Sequence, residues 1–293
     1  MFIVKYRNIF FFISIALVLG SVFAMWRLGF NTGIDFKGGS IVEVVYEGQV
    51  PDTEALKEAL RKDFPETHIQ STGENGILVR TVDLSGDSHA KLLEGLSLFG
   101  KAPLTEKQSS SIGPTIGKEL RSKAWFAILA VIFGIVLFIA FAFRGVSKPI
   151  SSWRYGFITL VALAHDIIIP AGLFVYLGKE INSLFVVALL SILGISVHDK
   201  IVVFDRIREN LRLHANRLFD ETVGKSLVQT FARSVNTSLT ILIVLGVLWY
   251  MGPESTRDFA MLLFAGVAIG TYSSVFFAAP LLVFVEKLQK KSK

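Results

Sequence analysis

The sequence predicts an α-helical polytopic membrane protein of six transmembrane helices, with a small α+β domain of order βαββαβ inserted between helices 1 and 2. Three observations carry this. Of the 293 residues, 52% are hydrophobic and the mean hydropathy is +0.56, above the range of a soluble globule, where about 45–50% of residues are apolar. Six apolar runs are long enough for a hydrocarbon core about 30 Å thick, which takes about 20 helical residues to cross. Between the first two runs the composition turns polar, with helix caps and turn residues.

The first run, Ile9 to Trp26, follows Lys5 and Arg7 as a signal peptide would. Met25-Trp26-Arg27 is a poor cleavage site, so residues 1–28 read as a retained N-terminal transmembrane helix. Residues 29–122 form the inserted domain. Ile41 to Glu47 reads as a strand, and Pro51 with an Asp52 or Thr53 cap opens a helix through Leu60. Thr67–Ser71 and Gly76–Val82 read as strands joined at Thr72-Gly73-Glu74-Asn75. Asp87–Phe99 is a second helix with Leu92, Leu93 and Leu96 on one side, and Glu106–Ile112 is a last strand. That order favours a ferredoxin-like sheet with its helices on one face. Residues 123–293 hold the other five spans: Trp125–Phe143, Phe157–Leu177, Ile181–Phe204, Val235–Met251 and Phe259–Val285. A basic cytoplasmic loop, 205–234, separates the fourth from the fifth.

Lysine and arginine orient the set, because short translocated loops are poor in them. Lys5 and Arg7 precede the first span; Arg144, Lys148 and Arg154 lie between the second and third; Arg206, Arg208, Arg212, Arg217, Lys225 and Arg233 lie between the fourth and fifth; Lys287, Lys290, Lys291 and Lys293 close the chain. Gly178-Lys179-Glu180 and Gly252 to Asp258 carry only Lys179 and Arg257. Both termini are therefore expected in the cytoplasm and residues 29–122 outside it.

Several classes of function fall away. The chain has no cysteine, so there is neither a disulfide framework nor a thiol nucleophile. Its net charge of +6 is not gathered on one soluble face, so nucleic acid is not an expected partner. Gly113-Pro114-Thr115-Ile116-Gly117-Lys118-Glu119 imitates a Walker A loop but is one residue short, with Glu where Ser or Thr must reach the metal. Gly33-Ile34-Asp35-Phe36-Lys37-Gly38-Gly39 has no strand before it, and its glycines read as tight turns.

What remains is charge inside the membrane. His198, Asp199 and Lys200 lie well within the fourth run, and His165-Asp166 in the middle of the third. An aspartate at the centre of a bilayer costs about 2.5–3.5 kcal/mol on insertion scales, so it persists where it has a partner, water or a function. Ser196, Asp199 and Arg206 fall on one helical face, with Ser191 and Gly194 close by, and Gly266 and Gly270 give the sixth span a small-xxx-small contact. Asp205 and Arg206 near the membrane surface read as fold or headgroup contacts.

These residues carry a family likeness. Gly33 to Gly39; Ala164-His165-Asp166; Ser196-Val197-His198-Asp199-Lys200 with Ile201 to Asn210; Arg233-Ser234-Val235-Asn236-Thr237-Ser238-Leu239-Thr240; and Gly270-Thr271-Tyr272-Ser273-Ser274 resemble the SecF family. The match runs over almost the whole chain. The resemblance implies the smaller half of SecDF, in the resistance-nodulation-division superfamily of the bacterial cytoplasmic (inner) membrane. Its implied partners are an obligate SecD, the SecYEG channel, YajC and YidC, and the translocating polypeptide. Its implied work is export driven by the proton motive force, with protons as coupling ion and no cofactor, metal or enzymatic activity.

Transferred by motif, the coupling candidates are Asp199, Arg233, Asp166 and His198, with Asp35, Gly38, Gly39, Ser196, Asp205, Arg206, Asn236, Thr237, Gly266 and Gly270 as motif or packing positions. One departure stands out. The family shows Gly-Tyr-Ser-x-Asn-Asp followed by a small polar residue, whereas this chain has Gly194-Ile195-Ser196-Val197-His198-Asp199-Lys200. Lys200 is thus an expected neutraliser of Asp199 or competitor for its proton. Two alternatives stay open: a passive scaffold for SecD and the channel, and a membrane metal-dependent hydrolase built on the two His-Asp pairs.

Overall fold

The structure is a computed structural model that describes residues 2–65, 67–73, 75–82, 84, 87–143, 150–213 and 218–291. Glu74 of the expected hairpin, and Arg144, Lys148, Arg217 and Lys293 of the charge pattern, lie outside the described residues, as does His214. The chain divides into two compact units, Met1–Asn31 with Phe126–Lys293, and Thr32–Trp125. Its elements in order are α1 (Arg7–Leu28), β1 (Gly39–Tyr46), α2 (Thr53–Leu60), β2 (His68–Thr72), β3 (Gly76–Thr81), α3 (Ser88–Leu96), β4 (Leu104–Ile112), α4 (Pro114–Ala142), α5 (Ser152–Tyr176), α6 (Ser183–Leu213), α7 (Phe219–Met251) and α8 (Glu254–Tyr272), which passes through a π-helical turn, Ser273–Ala278, into α9 (Ala279–Lys291).

In the smaller unit the strands order β2-β3-β1-β4, with antiparallel neighbours throughout. Strand periodicity sends Val42, Val44 and Tyr46 of β1 and Ile77 and Val79 of β3 to one face, with Val42 opposite Val79 and Val44 opposite Ile77. Leu56 and Leu60, and Leu92 and Leu96, are each one helical turn apart and close the core from α2 and α3. The helices pack tightly enough that a Cβ on Gly95 would lie 2.6 Å from Leu60 Cδ2. Tyr46, buried under them, donates its hydroxyl to Leu96 O at 2.9 Å, and burial pushes its phenol up to about 12. The second helix stops at Leu96, short of the expected Phe99, because Leu98, Phe99 and Gly100 take positive φ. The last strand starts earlier than expected, at Leu104.

The two glycine segments that imitate phosphate loops pack on each other. Ile34–Lys37 is a single helical turn capped by Gly38 at φ +79°, and Pro114 opens α4. A Cβ on Gly38 would lie 2.8 Å from Pro114 Cα, one on Gly117 2.9 Å from Gly38 N, and one on Gly39 2.9 Å from Thr81 O. Backbone therefore meets backbone where any side chain would intrude. Overpacking costs about 1–3 kcal/mol, so Gly117→Ala, whose φ is unstrained, is expected to lower stability by that amount, and Gly38→Ala by more, since alanine at that φ is strained as well. Thermal unfolding of the two variants checks the order.

Among the described residues six helices are long and apolar enough to cross a membrane. Helix α5 and the α8–α9 path are mostly buried among the others, whereas α1, α4 and α7 turn most of their apolar surface outward. At one end Phe143 stacks on Tyr155 at 5.3 Å, and Phe204 meets Tyr155 edge-on at 5.5 Å; Ile139, Ile158, Val203, Ile207 and Val223 surround them.

The stretch 205–234, expected as a basic loop, is helical where it is described except at Leu218, the extended residue that caps α7. Helix α6 continues to Leu213 and α7 begins at Phe219, well before the apolar run at Val235. Hydropathy misses these turns because their outer faces are charged. Their facing sides bond through polar groups: Asn210 Nδ2 donates to Ser226 Oγ and Gln229 Oε1, both at 2.8 Å, and Arg206 Nε to Gln229 Oε1 at 2.8 Å. The π turn likewise leaves no mark in the hydropathy pattern. It presents Phe276 and Phe277 to Phe10 and Phe11 of α1 at 4.7 and 5.8 Å, and Tyr272 just before it donates to Phe10 O at 3.2 Å.

Candidate functional site

Ser196, Asp199 and Lys200 on α6 are 2%, 6% and 0% exposed. Ser196 and Lys200 are one turn apart and share a face, while Asp199 is rotated about 100° from Lys200. The two charges therefore turn to different helices. Lys200 and Ser196 reach α5, where Asp166 Oδ2 accepts from both Lys200 Nζ and Ser196 Oγ. Lys200 Nζ also donates to Ser196 Oγ at 2.7 Å and to Ser196 O at 3.4 Å. Asp166 Oδ1 lies 2.9 Å from His165 Nδ1, and since an ionised carboxylate only accepts, that nitrogen carries the proton. The buried His165 ring stacks on Phe277 of the π turn at 4.8 Å. A buried ion pair holds only with this kind of saturation, because desolvation of each charge must be offset by hydrogen bonds as well as by the partner.

Asp199 sits on the other side of this arrangement. Its Oδ2 accepts from Ser238 Oγ of α7 at 3.4 Å, and Ser238 Oγ accepts from Thr271 Oγ1 of α8 at 2.6 Å. Among the described residues no cation lies within ion-pair distance of it. The expectation that Lys200 neutralises Asp199 is thus replaced by a pair between Lys200 and Asp166. Sequence adjacency misleads here, since neighbouring residues on a helix diverge.

The small residues hold α8 close to this face. A Cβ on Gly266 would overlap Ile192, and one on Gly270 would lie 3.0 Å from Ser196 Oγ. The pairs advance in step, 192 with 266 and 196 with 270, so α6 and α8 run parallel with their backbones near each other.

Other expected positions lie elsewhere. His198 and Arg233 are exposed within this chain, as are Asn236 and Thr237, and no hydrogen bond or ion pair among the described residues joins Arg233 to Asp199. Asp205 is exposed and pairs with Arg208, and Arg206 pairs with Glu209 at 2.5 Å. Asp35 lies in the helical turn ahead of Gly38 and Gly39. Gly194 is exposed, with open space where a side chain would stand, so it does not extend the buried stripe of α6. Ser238 is missing from the site residues that the sequence suggests. A signal for it exists: Thr222, Ser226, Thr230, Ser234 and Ser238 recur every four residues, and all five are buried on one face of α7.

Residues 97–288 match the family described as protein export membrane protein SecD/SecF, C-terminal, and residues 23–50 match the SecD/SecF GG motif. The protein translocase subunit SecF of Anaerolinea thermophila is 38% identical over 287 residues, 96% of this chain and 92% of that one. This chain belongs to the SecF family. The protein translocase subunit SecDF of Thermus thermophilus is 38% identical to it over 92% of this chain and 36% of the relative. The crystal structure of SecDF from that organism, a translocon-associated membrane protein, superposes with a TM-score of 0.83 at 34% identity, over 96% of this chain and 38% of that one. As a SecF-family protein the chain is a multi-pass membrane protein of protein transport, and its GG motif is the pair Gly38-Gly39, whose close packing is described above.

Proposed function

We propose that this chain is a non-enzymatic SecF subunit that uses the proton motive force to assist polypeptide export, with Asp199 as the proton-exchanging carboxylate. The observation that carries the reading is the setting of Asp199: deep in a membrane helix, 6% exposed, held by one long hydrogen bond from Ser238 and by no cation among the described residues. Intramembrane carboxylates in such a setting mark ion and proton paths. Asp199 touches α7, which is joined through Ser238 to Thr271 of α8, so a change of its charge acts directly on the contact between three helices. Exposure of Arg233 within the single chain leaves that cation available to an approaching partner or a moving helix.

The partner in this reading is SecD, since the SecDF relative carries in one longer chain a part that matches this one. The same reading adds SecYEG, with YajC and YidC as accessories. It places the chain in the cytoplasmic membrane with both termini inside and the sheet unit outside, in accord with the distribution of lysine and arginine. The βαββαβ order with antiparallel strands arranged β2-β3-β1-β4 supports a ferredoxin-like assignment for that unit. Such a sheet with open edges suits a partner or polypeptide surface.

The test measures export into membrane vesicles with and without an imposed proton gradient, in the presence and absence of this chain. The motor reading expects the gradient-dependent increment to vanish when the chain is removed. An equal fractional loss with and without the gradient would sink it in favour of a passive scaffold.

A further inference from the structure

Three carboxylates of this bundle are buried among the described residues, Asp166, Asp199 and, near the end of α9, Glu286; the first two sit on adjacent helices, and their surroundings differ in kind. Asp166 is fully buried and accepts from three donors: Lys200 Nζ, Ser196 Oγ and His165 Nδ1. The three N–H donors of Lys200, itself fully buried, meet three acceptors, namely Asp166 Oδ2, Ser196 Oγ and Ser196 O. Among the described residues Asp199 accepts a single hydrogen bond, from Ser238.

We propose that Lys200 decides which of these two carboxyls exchanges the proton: by closing a charge-neutral unit with Asp166 it leaves Asp199 as the one of the pair that gains and loses a proton within the membrane. The inference rests on the reading of Asp199 as the coupling carboxylate, and adds that each cycle moves one proton through this pair and not two. The bookkeeping of charge supports it. With Lys200 positive and Asp166 negative the pair contributes nothing to the net charge of the bundle, so the whole change on protonation falls at Asp199, at the contact with α7 and α8. The titratable and charged groups around the two carboxyls are few. Helix α5 supplies His165; α6 supplies Lys200 and the outward-facing His198; α8 supplies Tyr272, whose ring lies 6.3 Å from His165; α7 supplies only the exposed Arg233, its inward groups toward Asp199 being hydroxyls. Lys200 is a positioning residue here: it acts on Asp199 through Asp166, by removing the competing acceptor and by fixing the rotation of α6 that turns Asp199 to Ser238.

The test is pH-difference infrared spectroscopy of the full chain in lipid vesicles, following the carboxylic-acid C=O stretch in samples isotopically edited at aspartate, so that Glu286 does not enter the count. Wild type is expected to show one acid band within the membrane, absent in Asp199→Asn and retained in Asp166→Asn/Lys200→Met, where the neutral unit is replaced by a neutral pair. Lys200→Met alone is expected to show two bands, the second removed by adding Asp166→Asn, whereas Lys200→Arg is expected to stay at one. A purely structural lysine would leave the number of bands at one in Lys200→Met. Two bands in wild type, one of them lost in Asp199→Asn, would overturn this inference while sparing the function proposed above; no band in wild type that depends on Asp199 would overturn both. Should Lys200→Met not fold, the comparison of wild type, Asp199→Asn and the double variant still decides, because loss of the wild-type band in the double variant would assign the proton to Asp166.

Discussion

Lys200→Met is expected to destabilise the membrane unit by about 3–5 kcal/mol, the cost of stranding one member of a buried ion pair. The reason is local. Asp166 is fully buried and loses its cation, and Ser196 Oγ loses a 2.7 Å donor at the same time. The double variant Asp166→Asn/Lys200→Met removes both charges and keeps an amide that still meets Ser196 and His165, so it is expected to recover most of the loss. Replacing a whole buried pair by groups of similar volume is often neutral or better. The measurement is a double-mutant cycle on the purified chain in detergent or lipid, unfolded by denaturant. Equal destabilisation in the single and double variants would show that the two side chains contribute by packing alone.

Asp199→Asn is expected to have the largest effect on function and a small one on stability. Asparagine has the shape of aspartate and its amide oxygen still accepts from Ser238, so the contact with α7 survives. What disappears is the ability to change charge. One charge moved through a potential of 100 mV is worth about 2.3 kcal/mol, about a 50-fold bias between two helix packings at about 1.4 kcal/mol per factor of ten. Without it the gradient has no purchase on this chain. Export driven by the gradient is expected to fall to the level seen without one, while the chain still accumulates in the membrane and co-purifies with its partner. Asp199→Glu, which keeps a titratable group one methylene further out, is expected to restore part of the response. A gradient-dependent export rate unchanged in Asp199→Asn would end the case for this residue.

Much of this protein is legible one residue at a time. Six apolar runs, a polar insertion and a βαββαβ succession all follow from composition and periodicity, because the cost of exposing a backbone or a charge to hydrocarbon acts on each segment by itself. Element ends are less legible. Helices α6 and α7 run past their apolar stretches, since charged outer faces hide helices that are joined by the hydrogen bonds of Asn210 to Ser226 and Gln229. Each of the two glycine segments reads in isolation as a turn; that Gly38 lies against Pro114 and Gly117 depends on strands β1 to β4 bringing distant parts of the chain into register.

The site divides the same way. That Asp166, Asp199 and Lys200 lie within the membrane follows from the apolar runs around them, a local property that needs no fold. Their pairing belongs to the packed bundle: Lys200 turns to Asp166 on α5, and Asp199, its immediate neighbour, turns to Ser238 on α7. A helix turns about 100° per residue, which sends adjacent side chains to different partners, while the choice of partner rests on which helices pack against α6 on each side, α5 at Lys200 and α7 at Asp199.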